Sequence, residues 1–317
     1  MILITGATGF VGGAIVNRLI EDGAGSKTLA VCRNADHSIP SMVRSVEAGD
    51  LVGVKNLSSI LKGVRTVVHC AARVHMMTQD SNSFLDDFRS VNVGVTLNLA
   101  RQSVCCGVKR FIFLSTAKVN GEYTDDNQCF TAYDHPAPVG AYAISKFEAE
   151  TALREIGDKT GMEVVIIRPP LVYGPKVRAN FKVMVDWISS GRPLPLGAIK
   201  KNKRSFVALD NLVDLIVTCI NYPADINQTF MVSDNEDLST AELLKRIGIA
   251  VGRPPRLINV PTSLLRLGAL LFNRGDVYQR LCSSFQLDIS HTKNFLGWRP
   301  LISVDQGLRA ILRDTKI

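Results

Sequence analysis

Tyr142 and Lys146 lie four positions apart in the segment Tyr142-Ala-Ile-Ser-Lys146, so a helix there carries a phenol and an ammonium on one face. A neighbouring ammonium favours the phenolate, which is expected to lower the tyrosine pKa until its oxygen can exchange a proton with a substrate hydroxyl or carbonyl. The matching hydrogen-bond donor is expected from Ser115 or Thr116, which follow the apolar run Phe111-Ile-Phe-Leu114. This tyrosine-lysine spacing recurs by chance in many helices. Its meaning depends on the elements that would position it.

The N-terminus supplies them. Met1-Ile-Leu-Ile-Thr-Gly6-Ala-Thr-Gly9-Phe-Val-Gly12 reads as a buried strand, a glycine-rich turn and the start of a helix whose apolar pattern continues through Val11, Ile15, Leu19 and Ile20. Gly6 permits the tight turn, Gly9 lets the main chain approach a pyrophosphate, and Gly12 lets helix and strand pack closely. Thr8, Phe10 and Val11 fall in the same turn, and the anion would sit on the helix N-terminus. The spacing is GxxGxxG, a variant of the dinucleotide fingerprint.

Strand and helix patterns alternate through the first half, with strands near 2–5, 28–32, 44–48, 65–70, 110–115 and 163–167 and helices near 11–22, 55–61, 84–106 and 142–160. The strands are continuous apolar runs, as expected when helices cover both faces. The fold is therefore expected to be α/β, a doubly wound parallel (Rossmann) sheet over residues 1–168. A smaller, interleaved C-terminal substrate lobe is expected over 169–317, with short strands near 205–208, 228–232 and 256–259 and some segments returning to the sheet.

Composition narrows the function classes. The 317 residues are 46% hydrophobic and 21% charged, ordinary for a globular protein. No secretory signal is expected, since the first strand begins at residue 2, and no apolar stretch reaches the roughly 20 residues of a membrane span. A cytoplasmic location follows as an expectation. Net charge is +8, but apart from Lys200-Lys201-Asn-Lys203-Arg204 the basic residues are scattered, which suits a polyanionic small substrate rather than a nucleic acid. The seven cysteines form no CxxC pair and read as reduced core thiols. The five histidines show no metal-ligand spacing, and His69 and His75 read as packing residues.

With these motifs in place, the chain resembles the extended short-chain dehydrogenase/reductases, the NAD-dependent epimerase/dehydratase group acting on nucleotide sugars. The resemblance runs through Thr5 to Gly12, Gly49-Asp-Leu51, His69-Cys-Ala-Ala72, Leu114 to Gly121, Tyr142 with Lys146, Arg168 to Pro175, Arg204 to Asp210 and Leu296-Gly-Trp-Arg-Pro300. It implies adenine contact by Asp50 and Leu51, cofactor lining by Ala71 and Ala72, and nicotinamide contact near Pro169. It further implies ribose binding by Lys146, proton transfer by Tyr142, and a hydrogen bond to the sugar C4 oxygen from Thr116, with Ser115 the one-residue alternative. Asn180 and Arg204 would hold the nucleotide diphosphate of a UDP-sugar, and a homodimer would form through the helices at 84–106 and 142–160.

Departures from the family pattern discriminate among its activities. Ala117-Lys118 replaces the acid pair of the 4,6-dehydratases, so that activity is not expected, and Lys118 is either a solvated loop residue or a substrate contact. Asn120 replaces the usual tyrosine, and Leu171 stands where 4-epimerases carry asparagine. At the end of the second strand, Arg33 favours NADP(H); with Asp36 as the ribose ligand instead, NAD(H) is the alternative. The resulting expectation is a reductase of UDP-linked 4-keto-6-deoxy-N-acetylhexosamines. A 4-epimerase with tightly bound NAD is the alternative. A binding-only sensor is disfavoured, because Tyr142, Lys146 and Thr116 are all present.

Overall fold

The computed structural model describes residues 1–34, 39–73, 81–177 and 179–313. Among the described residues nine strands form, β1 (Ile2–Thr5), β2 (Thr28–Cys32), β3 (Arg44–Glu47), β4 (Thr66–His69), β5 (Arg110–Leu114), β6 (Glu163–Arg168), β7 (Leu171–Tyr173), β8 (Phe206–Ala208) and β9 (Thr229–Met231). Seven pair in parallel in the order β3-β2-β1-β4-β5-β6-β9, and β7 and β8 make a separate parallel pair. The fold is thus the α/β doubly wound sheet. Chain order reverses between β1 and β4, where such sheets open a crevice at their carboxyl ends.

Alternate side chains of each central strand enter two different cores. Ile4, Val68, Ile112 and Val165 pack on the face covered by the helices Phe10–Glu21 and Leu209–Asn221, where Ile15, Leu19, Leu212 and Ile216 are buried. Leu3, Val67, Phe111 and Val164 pack on the other face with Leu99 and Leu153. A third core, around Tyr173, Phe181, Phe206 and Leu244, lies under β7 and β8.

The structure differs from the sequence reading in places with identifiable causes. The helix expected at 55–61 is a single turn, Ser58–Leu61, bracketed by left-handed glycines Gly53 (φ 80°) and Gly63 (φ 75°). The helix expected at 84–106 is Ser81–Phe88, a π-helical segment Arg89–Val95 and Thr96–Cys105; Val91, Val93, Val95 and Gly94 are poor helix formers and fall in the loosened turn. The strand expected at 256–259 reduces to one bridge between Leu194 and Leu257, since Pro254, Pro255 and Pro261 interrupt the donors around it. β7 lies where only loop was expected. Cys32 and Cys219 are buried as core thiols, whereas Cys105 and Cys129 are exposed.

Candidate functional site

The glycine turn is built by backbone contacts that side chains would fill. Gly6 has φ 66°, and a Cβ there would come within 2.9 Å of the Ala71 nitrogen. A Cβ on Gly9 would lie 3.0 Å from the Gly6 carbonyl, and one on Gly12 only 2.1 Å from it. Gly12 therefore clears the turn itself rather than the strand. The helix Phe10–Glu21 then starts with no side-chain cap and no acid in its first turn, so its first N–H groups are available to an anion. A cavity of about 590 Å³ opens along this turn, lined in part by Thr8, Gly9, Phe10, Pro175, Lys176 and Asp210. A dinucleotide pyrophosphate fits such a cradle. Val11 is half-buried behind the turn.

The carboxyl ends of the central strands bring further expected residues together. Ala71 donates to Thr5 Oγ1 (3.3 Å), the Ala117 amide donates to the Pro169 carbonyl (2.8 Å), and Lys146 Nζ donates to the Leu114 carbonyl (2.7 Å). Ala71 and Ala72 are half-buried at this edge, and Pro169 is buried. Exposed Arg33 follows β2, and the Ala48 amide donates to the Cys32 carbonyl (3.0 Å), so Asp50 and Leu51 follow at the end of the neighbouring strand. Asp36 and His75 lie outside the described residues.

Tyr142 and Lys146 occupy the helix Ala141–Thr160, which begins at left-handed Gly140 (φ 82°) and ends at Gly161 (φ 74°). Lys146 is almost fully buried, 4.3 Å above the Phe113 ring, and burial pushes its ammonium down to about 8 against the pull of Cys70 and Glu150. The Tyr142 ring packs edge-on against Phe88, with centroids 6.2 Å apart. Burial pushes the phenol up to about 12. This reverses the sequence expectation of a lowered tyrosine: the Lys146 ammonium donates to the Leu114 carbonyl rather than to the phenol, and desolvation outweighs what its charge contributes.

The structure separates Ser115 from Thr116. The Ser115 hydroxyl is buried and hydrogen-bonded to Glu150, while Thr116 Oγ1 only caps the short turn Ala117–Val119, accepting weakly from the Lys118 amide (3.3 Å). Of the two hydroxyls, that of Thr116 is the one not bonded to Glu150. Glu150 is a residue the sequence reading missed. It extends the Tyr142 and Lys146 face by one further turn and receives Arg168 through Nε (3.1 Å) and Nη2 (2.5 Å), both side chains almost fully buried. Arg168 also donates to Asn120 Oδ1 (3.0 Å), so the asparagine that departs from the family pattern belongs to this network. Asn92, in the π-helical segment, was missed too: it accepts from the Arg73 amide (2.8 Å) and donates to Ser145 Oγ (3.0 Å), bracing the residue before Lys146.

The residues expected at the nucleotide diphosphate are less completely assembled. Lys118 Nζ pairs with both Glu122 oxygens at 2.9 Å, a local ion pair that favours the loop reading over substrate contact. Arg204 donates to the Ser283 carbonyl (2.9 Å) and stacks 5.6 Å from the Phe285 ring; no carboxylate pairs with it among the described residues. Burial lowers its pKa, opposed by Glu122. Asn180 sits in the first turn of the helix Ala179–Ser189, and its side chain lies outside the described residues. Among the described residues, no group of three His, Cys, Asp or Glu could hold a metal ion.

His69 is fully buried beside this edge. Thr96 donates to the Asn92 carbonyl, so His69 Nε2–H donates to Thr96 Oγ1 (2.9 Å), and Thr5 Oγ1 donates to Nδ1 (2.7 Å). Burial first, then the Lys146 charge, pushes the imidazole from 6.5 down to about 3. The unfolded chain therefore binds one more proton between those values, and stability falls as pH drops through that window by up to about 1.4 kcal/mol per pH unit. Urea unfolding across this range should show that slope, shallower in His69→Gln. Equal slopes in the two proteins would clear His69 of the effect.

Residues 2–232 match the NAD dependent epimerase/dehydratase family, and the chain belongs to it. It is an enzyme of the short-chain dehydrogenase/reductase class. The chain is 44% identical to the UDP-glucose 4-epimerase of Vibrio cholerae, covering 97% of this chain and 93% of that protein. It is 26% identical to the N-acetyl-alpha-D-glucosaminyl-diphospho-ditrans,octacis-undecaprenol 4-epimerase of Escherichia coli O157:H7, covering 93% and 90%. Among solved structures, the UDP-glucuronic acid 4-epimerase of Bacillus cereus in complex with NAD superposes with TM-score 0.79 at 19% identity, covering 99% of this chain and 95% of that one. The UDP-glucose 4-epimerase of Thermotoga maritima with UDP-glucose superposes with TM-score 0.76 at 22% identity, covering 99% and 97%. At these identities the superpositions establish the shared fold. Among the described residues, no helix is long and apolar enough to cross a membrane.

Proposed function

We propose that the protein is a 4-epimerase of UDP-hexoses or UDP-N-acetylhexosamines using bound NAD. The observation that carries this is the 44% identity, along almost the whole chain, to a protein named UDP-glucose 4-epimerase. The reductase expected from Leu171, Asn120 and Arg33 becomes the second reading. Asn120 now has a structural explanation in its bond to Arg168, which weakens it as a mark of reductase activity.

The glycine turn, Ala71, Ala72, Lys146 and Pro169 would hold the dinucleotide, which when bound accepts and returns hydride at the sugar C4. Tyr142 takes the proton of the C4 hydroxyl as the carbon is oxidised and returns it after the 4-keto sugar has presented its other face. Thr116 hydrogen-bonds the same oxygen throughout. Lys146 supplies the positive charge that makes proton loss from the phenol affordable in a desolvated site. Arg204 binds the diphosphate, for which a guanidinium offers paired donors.

The deciding experiment incubates purified protein with UDP-glucose, UDP-N-acetylglucosamine and a UDP-4-keto-6-deoxy-N-acetylhexosamine, following cofactor absorbance and product together. Interconversion of C4 epimers with no net cofactor change supports the proposal. Stoichiometric NADPH consumption with the keto sugar, and no epimerisation, replaces it with the reductase. In either case Arg204→Ala should raise the KM for the nucleotide sugar by roughly 10- to 150-fold, the effect of a lost charge-assisted hydrogen bond, and leave dinucleotide affinity unchanged. Equal weakening of both ligands would remove Arg204 from the substrate site.

A further inference from the structure

The helices Thr262–Leu271 and Gly275–Cys282 bury none of their residues. Leu264, Leu267, Leu270, Leu271 and Phe272 are each between 54% and 78% exposed, an apolar cluster with no role in the cores described above. Soluble surfaces rarely leave so many large side chains together in water. The charge around them has one sign: residues 253–282 contain five arginines and a single acid, Asp276, which is paired with Arg280. The basic cluster Lys200-Lys201-Asn-Lys203, which the nucleotide site does not use, abuts the same hairpin. Asn202 Nδ2 donates to the Leu281 (3.2 Å) and Ser283 (3.4 Å) carbonyls, while all three lysines are exposed.

We propose that this hairpin is an interfacial anchor that docks the enzyme on an anionic lipid surface. The apolar side chains enter the acyl boundary, and the flanking arginines and lysines meet the headgroups. An amphipathic helix with a basic polar face is built for that position, and it lies in the surface rather than crossing it. Charge complementarity selects lipid over a second copy of the chain, because apposing two such hairpins would bring like charges together. The chain leaving the hairpin runs directly into Ser283, the partner of Arg204, and Phe285, so anchoring would hold the phosphate end of the cleft beside the surface.

Flotation of the full chain with vesicles of phosphatidylglycerol and phosphatidylcholine, and with phosphatidylcholine alone, tests this. The protein should float with the anionic vesicles and be released by raised salt. Leu267→Asp with Leu271→Asp should lower the bound fraction at least about tenfold, since each buried leucine contributes more than that factor by apolar transfer. Lys200→Glu and Lys201→Glu should each weaken binding by about fivefold or more. Turnover of soluble UDP-sugar should be unchanged in all four substitutions, which also verifies folding. Failure of the wild type to float, equal flotation of the double aspartate variant, or sedimentation showing a dimer that this variant dissociates without vesicle binding would each overturn the proposal. If the aspartate pair does not fold, salt release and the lysine variants decide the question.

Discussion

Tyr142→Phe is expected to lower kcat by about 10²–10⁴-fold, the range for loss of a general acid–base group, with dinucleotide binding unchanged. The ring that packs on Phe88 survives the substitution, and only the proton-carrying oxygen goes. The effect is large because, among the described residues, its neighbours are already committed: the Ser115 hydroxyl to Glu150, and Lys146 to the Leu114 carbonyl. In the protein as folded, burial holds the phenol up at about 12, so its base form exists only when positive charge is brought to it. Lys146, held at about 8, is the charge the chain itself provides. Lys146→Met should therefore reduce kcat as well as dinucleotide affinity, whereas Tyr142→Phe should separate the two. Steady-state kinetics with fluorescence titration of the dinucleotide makes the comparison. A Tyr142→Phe enzyme retaining more than about a tenth of wild-type kcat, where a far larger loss is expected, would exclude Tyr142 as the proton carrier.

What the sequence disclosed follows the range of the interactions involved. The glycine turn and the Tyr142-Lys146 pair are short-range patterns, readable because helix periodicity and a tight turn fix their geometry within a dozen residues. The doubly wound sheet was readable from its continuous apolar strands. Lys118 with Glu122 was also within reach, as an i,i+4 ion pair that favours the loop reading of Lys118. Arg168 with Glu150, Asn92 with Arg73 and Arg204 with Ser283 join segments that only the folded sheet brings together. The tyrosine pKa is not legible in the sequence, because spacing says which groups share a helix face and nothing about how dry that face becomes. The direction of the reaction was harder still. A tyrosine-lysine pair serves reduction and epimerisation alike, and the two differ in whether hydride returns to the same sugar.

Glu150→Ala is expected to destabilise the fold by about 3–5 kcal/mol, because it leaves the buried Arg168 guanidinium without its counter-charge. Arg168 is 5% exposed and Glu150 3%, so water cannot take the place of the lost carboxylate. The remaining partner, Asn120 Oδ1, occupies one donor and carries no charge. The same carboxylate accepts the Ser115 hydroxyl and adds to the field on Lys146, so the damage should reach the site: Glu150→Ala should lower kcat beyond what lost stability explains, measured at a denaturant-free temperature well below unfolding. The double substitution Glu150→Leu with Arg168→Met distinguishes a buried charge penalty from a packing defect. Replacing a buried ion pair by apolar residues of similar volume is often neutral or stabilising, so the double variant should recover most of the lost stability while leaving Ser115 and Lys146 without their carboxylate partner. Recovered stability with kcat still depressed would mark Glu150 as a positioning residue for the Lys146 face. A double variant as unstable as Glu150→Ala, in urea denaturation, would show that packing rather than charge holds β6 against the helix Ala141–Thr160.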